Sequence, residues 1–237
     1  MAFPDEAFVA HGGCACRAIR YRVSVPSLNE RAYMPFLPPG AESDESRLPL
    51  SLVCHCDSCR EKSGQLAAYG VACEKKHVEL SILPKSQIGS EPRDDDHRRW
   101  LSATELLHGS NDLGELCLTI YRSSPRRNKM FCPNCGVSFA HISDRDAIPK
   151  EWGWPEMMAI MLPTIDRTVL EKDWWRPSRA MWTAVGIPWI RDHVKKEASD
   201  LEEHPLAFRD KIIGDDITAD LEMFAAIGEP IDLKITK

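Results

Sequence analysis

No stretch of the 237-residue sequence approaches the roughly 18 consecutive apolar residues of a membrane span. The longest apolar run is the short segment Met157 to Leu162. Basic excess is missing too: 30 Lys+Arg stand against 36 Asp+Glu, a formal charge of −6. That balance excludes a chain whose main partner is the phosphate backbone of nucleic acid, which requires a basic footprint. It also argues against attachment to an anionic membrane surface. The first residues, MAFPDEAFVAHGG, carry neither a basic n-region nor an apolar h-region, so the expectation is a reducing, cytoplasmic setting. Internal repeats and low-complexity tracts are absent. Hydrophobic residues make up 43% and charged residues 28%, ordinary globular usage that excludes general disorder. The length allows one large domain or two small ones.

Cysteine, by contrast, is plentiful. Nine are present, an odd number, several at C-x-C or C-x-x-C spacing, which fits a disulfide scaffold poorly and a metal site well. Seven fall into three clusters: Cys14 and Cys16; Cys54, Cys56 and Cys59; Cys132 and Cys135. Zinc favours a tetrahedron of thiolates, and its structural sites are closed by four protein ligands. Seven ligands divide into four plus three. The tidiest division joins the doublets Cys14/Cys16 and Cys132/Cys135 and leaves Cys54, Cys56 and Cys59 with one open position. Three protein ligands with an exchangeable fourth is how catalytic zinc sites are built. Spacing alone does not settle the pairing. Cys73 or His55 could close the second group and make both zincs structural, and iron–sulfur chemistry is a further option for such a set. Cys73 and Cys117 lie in strand-like segments and read as small buried hydrophobes.

Short strands dominate the first part of the chain. Ile19, Tyr21, Val23 and Val25 alternate with polar residues across 18–25, the period of a half-buried strand. Further strands are expected over 50–53, 65–73, 78–83, 116–121 and 137–142. This spacing, with few helices between, favours a mainly β architecture of antiparallel sheets. Residues 35–49 and 86–110 read as insertions, the second carrying the charge run RDDDHRR. Ser102 and Glu105 have capping-box spacing and Gly109 stops the segment, which predicts a short helix. Helices are also expected over 189–203 and 216–227, packed as a cover on the β core. The resulting division is a β domain over 1–190 and a helical extension over 191–237.

HGGCACRAIRY, CHCDSCREKSG and LTIYRSSPRRNKMFCPNCGVSFA together resemble the glutathione-dependent formaldehyde-activating enzyme family, which includes centromere protein V. The resemblance covers roughly 9–189, and three cysteine motifs in the same order make it specific. It implies a β-tent fold of several twisted antiparallel sheets, shared with a zinc-containing chaperone of Rab GTPases. It also implies a structural zinc on Cys14, Cys16, Cys132 and Cys135 and a catalytic zinc on Cys54, Cys56 and Cys59. The activity it implies is carbon–sulfur lyase chemistry, in which glutathione adds to or leaves an aldehyde-derived carbon, as in S-(hydroxymethyl)glutathione synthesis. Two departures stand out. Arg17 follows the first C-x-C where the family usually has glycine. In RPSRAMWTAVGIPW, Arg179, Ala180 and Met181 occupy the neighbourhood where the family often has a histidine, so no role for such a histidine carries over.

Glutathione carries two carboxylates, so its pocket needs cations or backbone donors. Arg60, Gly64 and Gln65 on the loop after Cys59 are the nearest substrate-binding candidates, with Arg126 and Arg127 preceding the last cysteine pair. His55, between two ligands, is a candidate donor or proton carrier. Trp152, Trp154, Trp174, Trp175, Trp182 and Trp189 either wall an apolar substrate cavity or pack the core. Two other readings keep the metal. In one, the open zinc acts on a specialised-metabolite carbonyl or carbon–sulfur bond; in the other, the chain is a zinc-stabilised protein-interaction module without catalysis.

Overall fold

The computed structural model describes residues 3–33, 46–89, 98–108, 113–124, 127–144 and 153–204. Within them the chain is mainly β, arranged as two twisted sheets. Strands β1 (Phe8–Gly13), β2 (Ile19–Val25), β5 (Val78–Ile82) and β6 (Leu101–Ser102) form a four-stranded antiparallel sheet in the order β1-β2-β5-β6. The second sheet is built from β3 (Leu50–Cys54), β4 (Ala68–Glu74), β7 (Thr119–Ser124), β8 (Arg127–Phe131), β9 (Ser138–Ser143), β10 (Met157–Met161), β11 (Arg179–Met181) and β12 (Glu202–His204). Its order is β12-β11-β3-β4-β10-β9-β8-β7. Most of its neighbours are antiparallel, but β11 runs parallel to both β3 and β12.

Side-chain alternation gives each sheet an inner face. Ile19, Tyr21, Val23 and Leu80 from the first sheet meet Val71, Met130, Met158 and Ile160 from the second in one buried cluster. Tyr21 stacks on Phe139 with ring centroids 6.2 Å apart, and its hydroxyl hydrogen-bonds Thr164 Oγ1 at 2.8 Å. Buried Arg20 donates to both carboxylate oxygens of Asp166 at 2.8 and 2.6 Å, tying β2 to the start of a short helix at Arg167–Leu170. Helix Pro188–Glu197 buries Ile190 and Val194 against Val53, Ala67 and Ala180. The other face of the large sheet, carrying Leu52, Cys54, Gly70, Ala72, Ala159 and His141, turns away from the small sheet.

Most strands expected from alternation are present, with shifted ends. The segment expected over 65–73 pairs from Ala68 to Glu74, and that over 116–121 pairs from Thr119 to Ser124. The predicted capping box forms: Glu105 N–H donates to Ser102 Oγ at 3.0 Å and Ser102 N–H donates to Glu105 Oε2 at 3.2 Å, opening the helix Ala103–His108. The helix expected over 189–203 ends at Glu197, after which Glu202–His204 joins the edge of the large sheet. Residues 216–227 lie outside the described residues, as do 35–45, 90–97 and 109–110 of the two insertions. None of the helices described is long and apolar enough to cross a membrane.

Candidate metal centres

Two turns, one from each sheet, converge on the first centre. Cys14 and Cys16 sit between β1 and β2, and Cys132 and Cys135 between β8 and β9. Their four sulfurs all lie within 4.8 Å of one another. Cys14 Sγ is 3.5 Å from Cys16 Sγ, which is 3.6 Å from Cys132 Sγ. A tetrahedral zinc with Zn–S of about 2.3 Å requires S···S of about 3.8 Å, so the spacing matches the ion. The turns share their backbone logic. Cys14 N–H donates to Ile19 O at 3.0 Å, and Cys132 N–H to Val137 O at 3.0 Å. Each closes through a left-handed residue, Gly136 at φ 73° and Arg17 at φ 60°. Arg17 therefore adopts the positive φ that favours glycine, despite its Cβ. Its carbonyl oxygen accepts from the Arg98 guanidinium. Cys117, fully buried, stands 3.7 Å from Cys132 Sγ, beside the group but outside the four.

The second centre is built where β3 ends and the helix Asp57–Ser63 begins. Cys54 is the last residue of β3, Cys56 caps the helix, and Cys59 lies in its first turn. Cys56 Sγ accepts from Cys59 N–H at 3.3 Å and lies 3.4 Å from Cys54 Sγ. Gly64, left-handed at φ 68°, stops the helix and sends the chain into β4. These three sulfurs also lie within 4.8 Å of each other, and among the described residues no fourth cysteine, histidine or carboxylate joins them. Both cysteine groups can thus hold a metal ion, one with four ligands and one with three.

The three thiols are electrostatically unequal. Hydrogen bonds with Cys56 and Cys59, together with burial, push Cys54 well above the ordinary thiol range. At Cys56 the hydrogen bond from Cys54 favours the thiolate, but contact with Cys59 and burial outweigh it and push the thiol up to about 12. Cys59 is held well below the ordinary range, because Cys54 and Cys56 donate to it and Lys129 and His141 stand nearby. Lys129 Nζ donates to Cys59 Sγ at 3.5 Å.

Lys129 and His141 carry no signal in the cysteine pattern. They are register partners on β8 and β9, and the pairing continues from His141 to Ala159 and from Ala159 to Ala72. Small side chains at Ala72 and Ala159 leave a hollow on this face. The result is a cavity of about 110 Å³ lined by Leu52, Cys54, Cys59, Ala72, Arg127, His141, Ser143, Met157, Ala159 and Met181. A recess of about 20 Å³ adjoins it, between Lys129, Ser138, Gly70 and the same two cysteines. Burial, then the positive charge of Lys129, pushes the His141 imidazole down to about 3, so it is neutral at pH 7. Its Nδ1 is buried and has no hydrogen-bond partner among the described residues. Trp182, just after Met181, is left-handed at φ 61°, an uncommon backbone state for an aromatic residue.

The other sequence candidates lie elsewhere. Alternation along the chain turns His55 away from Cys54: its side chain packs at Gly186, with Arg191 and Glu203 as its charged neighbours. Cys73 is buried on the inner face, its Sγ donating to Met158 O at 3.3 Å, and burial pushes it up to about 12. Neither joins the three cysteines. Arg60 pairs with Asp57 at 3.1 Å and Glu61 at 3.2 Å along its own helix. Gln65 Oε1 accepts from Tyr69 N–H at 3.2 Å. Arg60, Gly64 and Gln65 do not line the cavity beside Cys54, whereas Arg127 does. Arg126 and Trp152 lie outside the described residues. Trp174 and Trp175 pack with Phe8, Trp154 packs near Leu48 and Trp189 is 61% exposed; none of the described tryptophans lines this cavity. A search with protein-family models and a search of curated proteins found no match to this chain.

Proposed function

We propose that the protein is a zinc-dependent enzyme of the carbon–sulfur lyase type, in which a thiol such as glutathione adds to, or leaves, an aldehyde-derived carbon. One observation carries this reading: a three-thiol group with room for a fourth ligand opens onto a cavity, while a separate four-thiol group is complete. The resemblance of the three cysteine motifs to the formaldehyde-activating family supports the same reading. Two twisted sheets joined at one end by four cysteines fit the β-tent that the resemblance implies.

Cys54, Cys56 and Cys59 would hold the catalytic ion. A bound zinc there supplies a Lewis-acid position at which an incoming thiol gives up its proton. Lys129, donating to Cys59, offsets the negative charge that three thiolates accumulate. Leu52, Met157 and Met181 give the cavity apolar walls. In the forward direction a carbon–sulfur bond forms at the carbonyl carbon, and the thiol proton ends on the new hydroxyl. His141, neutral and lining the cavity, would carry that proton, and the reverse reaction would return it to sulfur.

Exchange between formaldehyde hydrate and S-(hydroxymethyl)glutathione, followed by NMR, tests the reading against the uncatalysed background. The zinc-loaded protein accelerates exchange, and Cys56→Ser abolishes the acceleration. His141→Gln lowers it by about 10²-fold, a typical general acid–base contribution, with metal content unchanged. Exchange in Cys56→Ser as fast as in the unaltered protein would overturn the proposal.

A further inference from the structure

A cation from the far side of the large sheet touches the three-cysteine group. Lys129, in β8, donates from Nζ to Cys59 Sγ at 3.5 Å, a residue 70 positions away in the chain. Lys129 lines a recess together with Cys54 and Cys59, and no aspartate or glutamate lines that recess or the cavity adjoining it. Arg60, the basic residue next to Cys59, is paired with Asp57 and Glu61 along its own helix. His141, on the same wall, is neutral at pH 7. The ammonium of Lys129 therefore faces the cysteine group with no carboxylate lining the recess to neutralise it.

We propose that Lys129 makes the open position of the three-cysteine centre select an anionic ligand, a thiolate, over neutral nitrogen and oxygen donors. The inference rests on the open-site reading above and names the ligand class for it. The argument is one of charge. Three thiolates around a divalent ion leave one net negative charge, which repels a fourth anion. The ammonium beside Cys59 cancels that charge, so a thiolate enters a neutral assembly. Without the ammonium, the same thiolate would build up two negative charges. A neutral donor adds no charge and does not meet this repulsion. Cys54 is buried and the walls beside it are apolar, where charges interact more strongly than in bulk water. The hydrogen bond to Cys59 also weakens that sulfur as a donor to the ion, which favours any fourth ligand alike. The ratio between a thiol and a neutral donor removes this common part and isolates the effect of charge. Lys129 acts through the metal group and not on the substrate itself, so it is a positioning residue. Its presence sets thiol chemistry apart from a reaction in which a carbonyl oxygen would occupy the open position.

Full-length protein loaded with cobalt provides the test, because a ligand entering at the three-cysteine ion shifts its absorption bands. The probes are 2-mercaptoethanol and imidazole, both at one pH above the imidazolium range, so that the imidazole is neutral and the thiolate fraction in solution is constant. Lys129→Met should raise the concentration of 2-mercaptoethanol needed for half the shift by at least about tenfold and leave the imidazole response unchanged. Lys129→Gln, also uncharged but polar, should behave in the same way. Lys129→Arg, which keeps a cation, should restore most of the thiol response. Arg127 is present in all of these proteins, so differences between them belong to position 129. The bands of the four-cysteine ion report in each variant that the fold is intact. Equal changes for the two probes, an unaltered thiol response in Lys129→Met and Lys129→Gln, or a loss in Lys129→Arg as large as in Lys129→Met would overturn the inference and leave the open site standing. Bands of the unaltered protein that ignore both probes would overturn the open site and this inference together.

Discussion

At Cys56 and Cys54 a proton is the obstacle to metal binding. Metal ligation needs thiolates, yet the surroundings hold both residues as thiols at neutral pH, and Cys59 alone is poised as a thiolate beside Lys129. Loading this group with a divalent ion therefore releases about two protons. The sign follows directly. Because protons compete with the metal at thiols whose pKa is raised, affinity rises as pH rises and falls as pH falls. Proton release into weak buffer at pH 7 during zinc addition to protein whose four-cysteine group is already filled measures this. Release close to zero would mean that the three cysteines are already ionised.

Short elements place these residues, and each depends on a local device. The helix Ala103–His108 is held by the reciprocal bonds of Ser102 and Glu105. Ser102→Ala removes one of them and should cost about 1 kcal/mol, typical of a lost N-cap. For a chain of this size that corresponds to a fall of about 2–4 °C in the thermal midpoint, read by circular dichroism. This device was visible in the sequence because a capping box is local chemistry. So were β2 and β5, whose alternation matches a half-buried face, and the split of seven cysteines into four and three. Strand β10 was not, since Met157–Met161 is a continuous apolar run that lacks the period-two signal. The helix Asp57–Ser63 escaped because its cap is a cysteine thiol rather than a hydroxyl or carboxylate. Lys129 and His141 escaped for a longer-range reason. Cross-strand register joins them, and register between β8, β9 and β10 cannot be read from any one segment.

Across the whole molecule the two cysteine groups carry different burdens. The four-cysteine group clamps the β1–β2 turn to the β8–β9 turn, residues more than a hundred positions apart in the chain. Binding energies of structural zinc sites, about 10–16 kcal/mol in small domains, match or exceed the 5–15 kcal/mol by which whole domains are stable. Cys132→Ser should therefore unfold the chain or drop its thermal midpoint steeply. Cys56→Ser, at the cap of the short helix after β3, should lose a single ion and keep the fold. Circular dichroism on both variants, alongside metal analysis, separates the two outcomes.

The most direct test of the account is the cobalt content of the purified chain and its response to added thiol. Two ions per chain, both with thiolate-to-cobalt bands and only one set shifting with thiol, is the predicted result. In Cys56→Ser the shifting set should vanish and the other remain. A single ion per chain, or two ions whose bands both ignore every thiol, would contradict the division into one closed and one open centre.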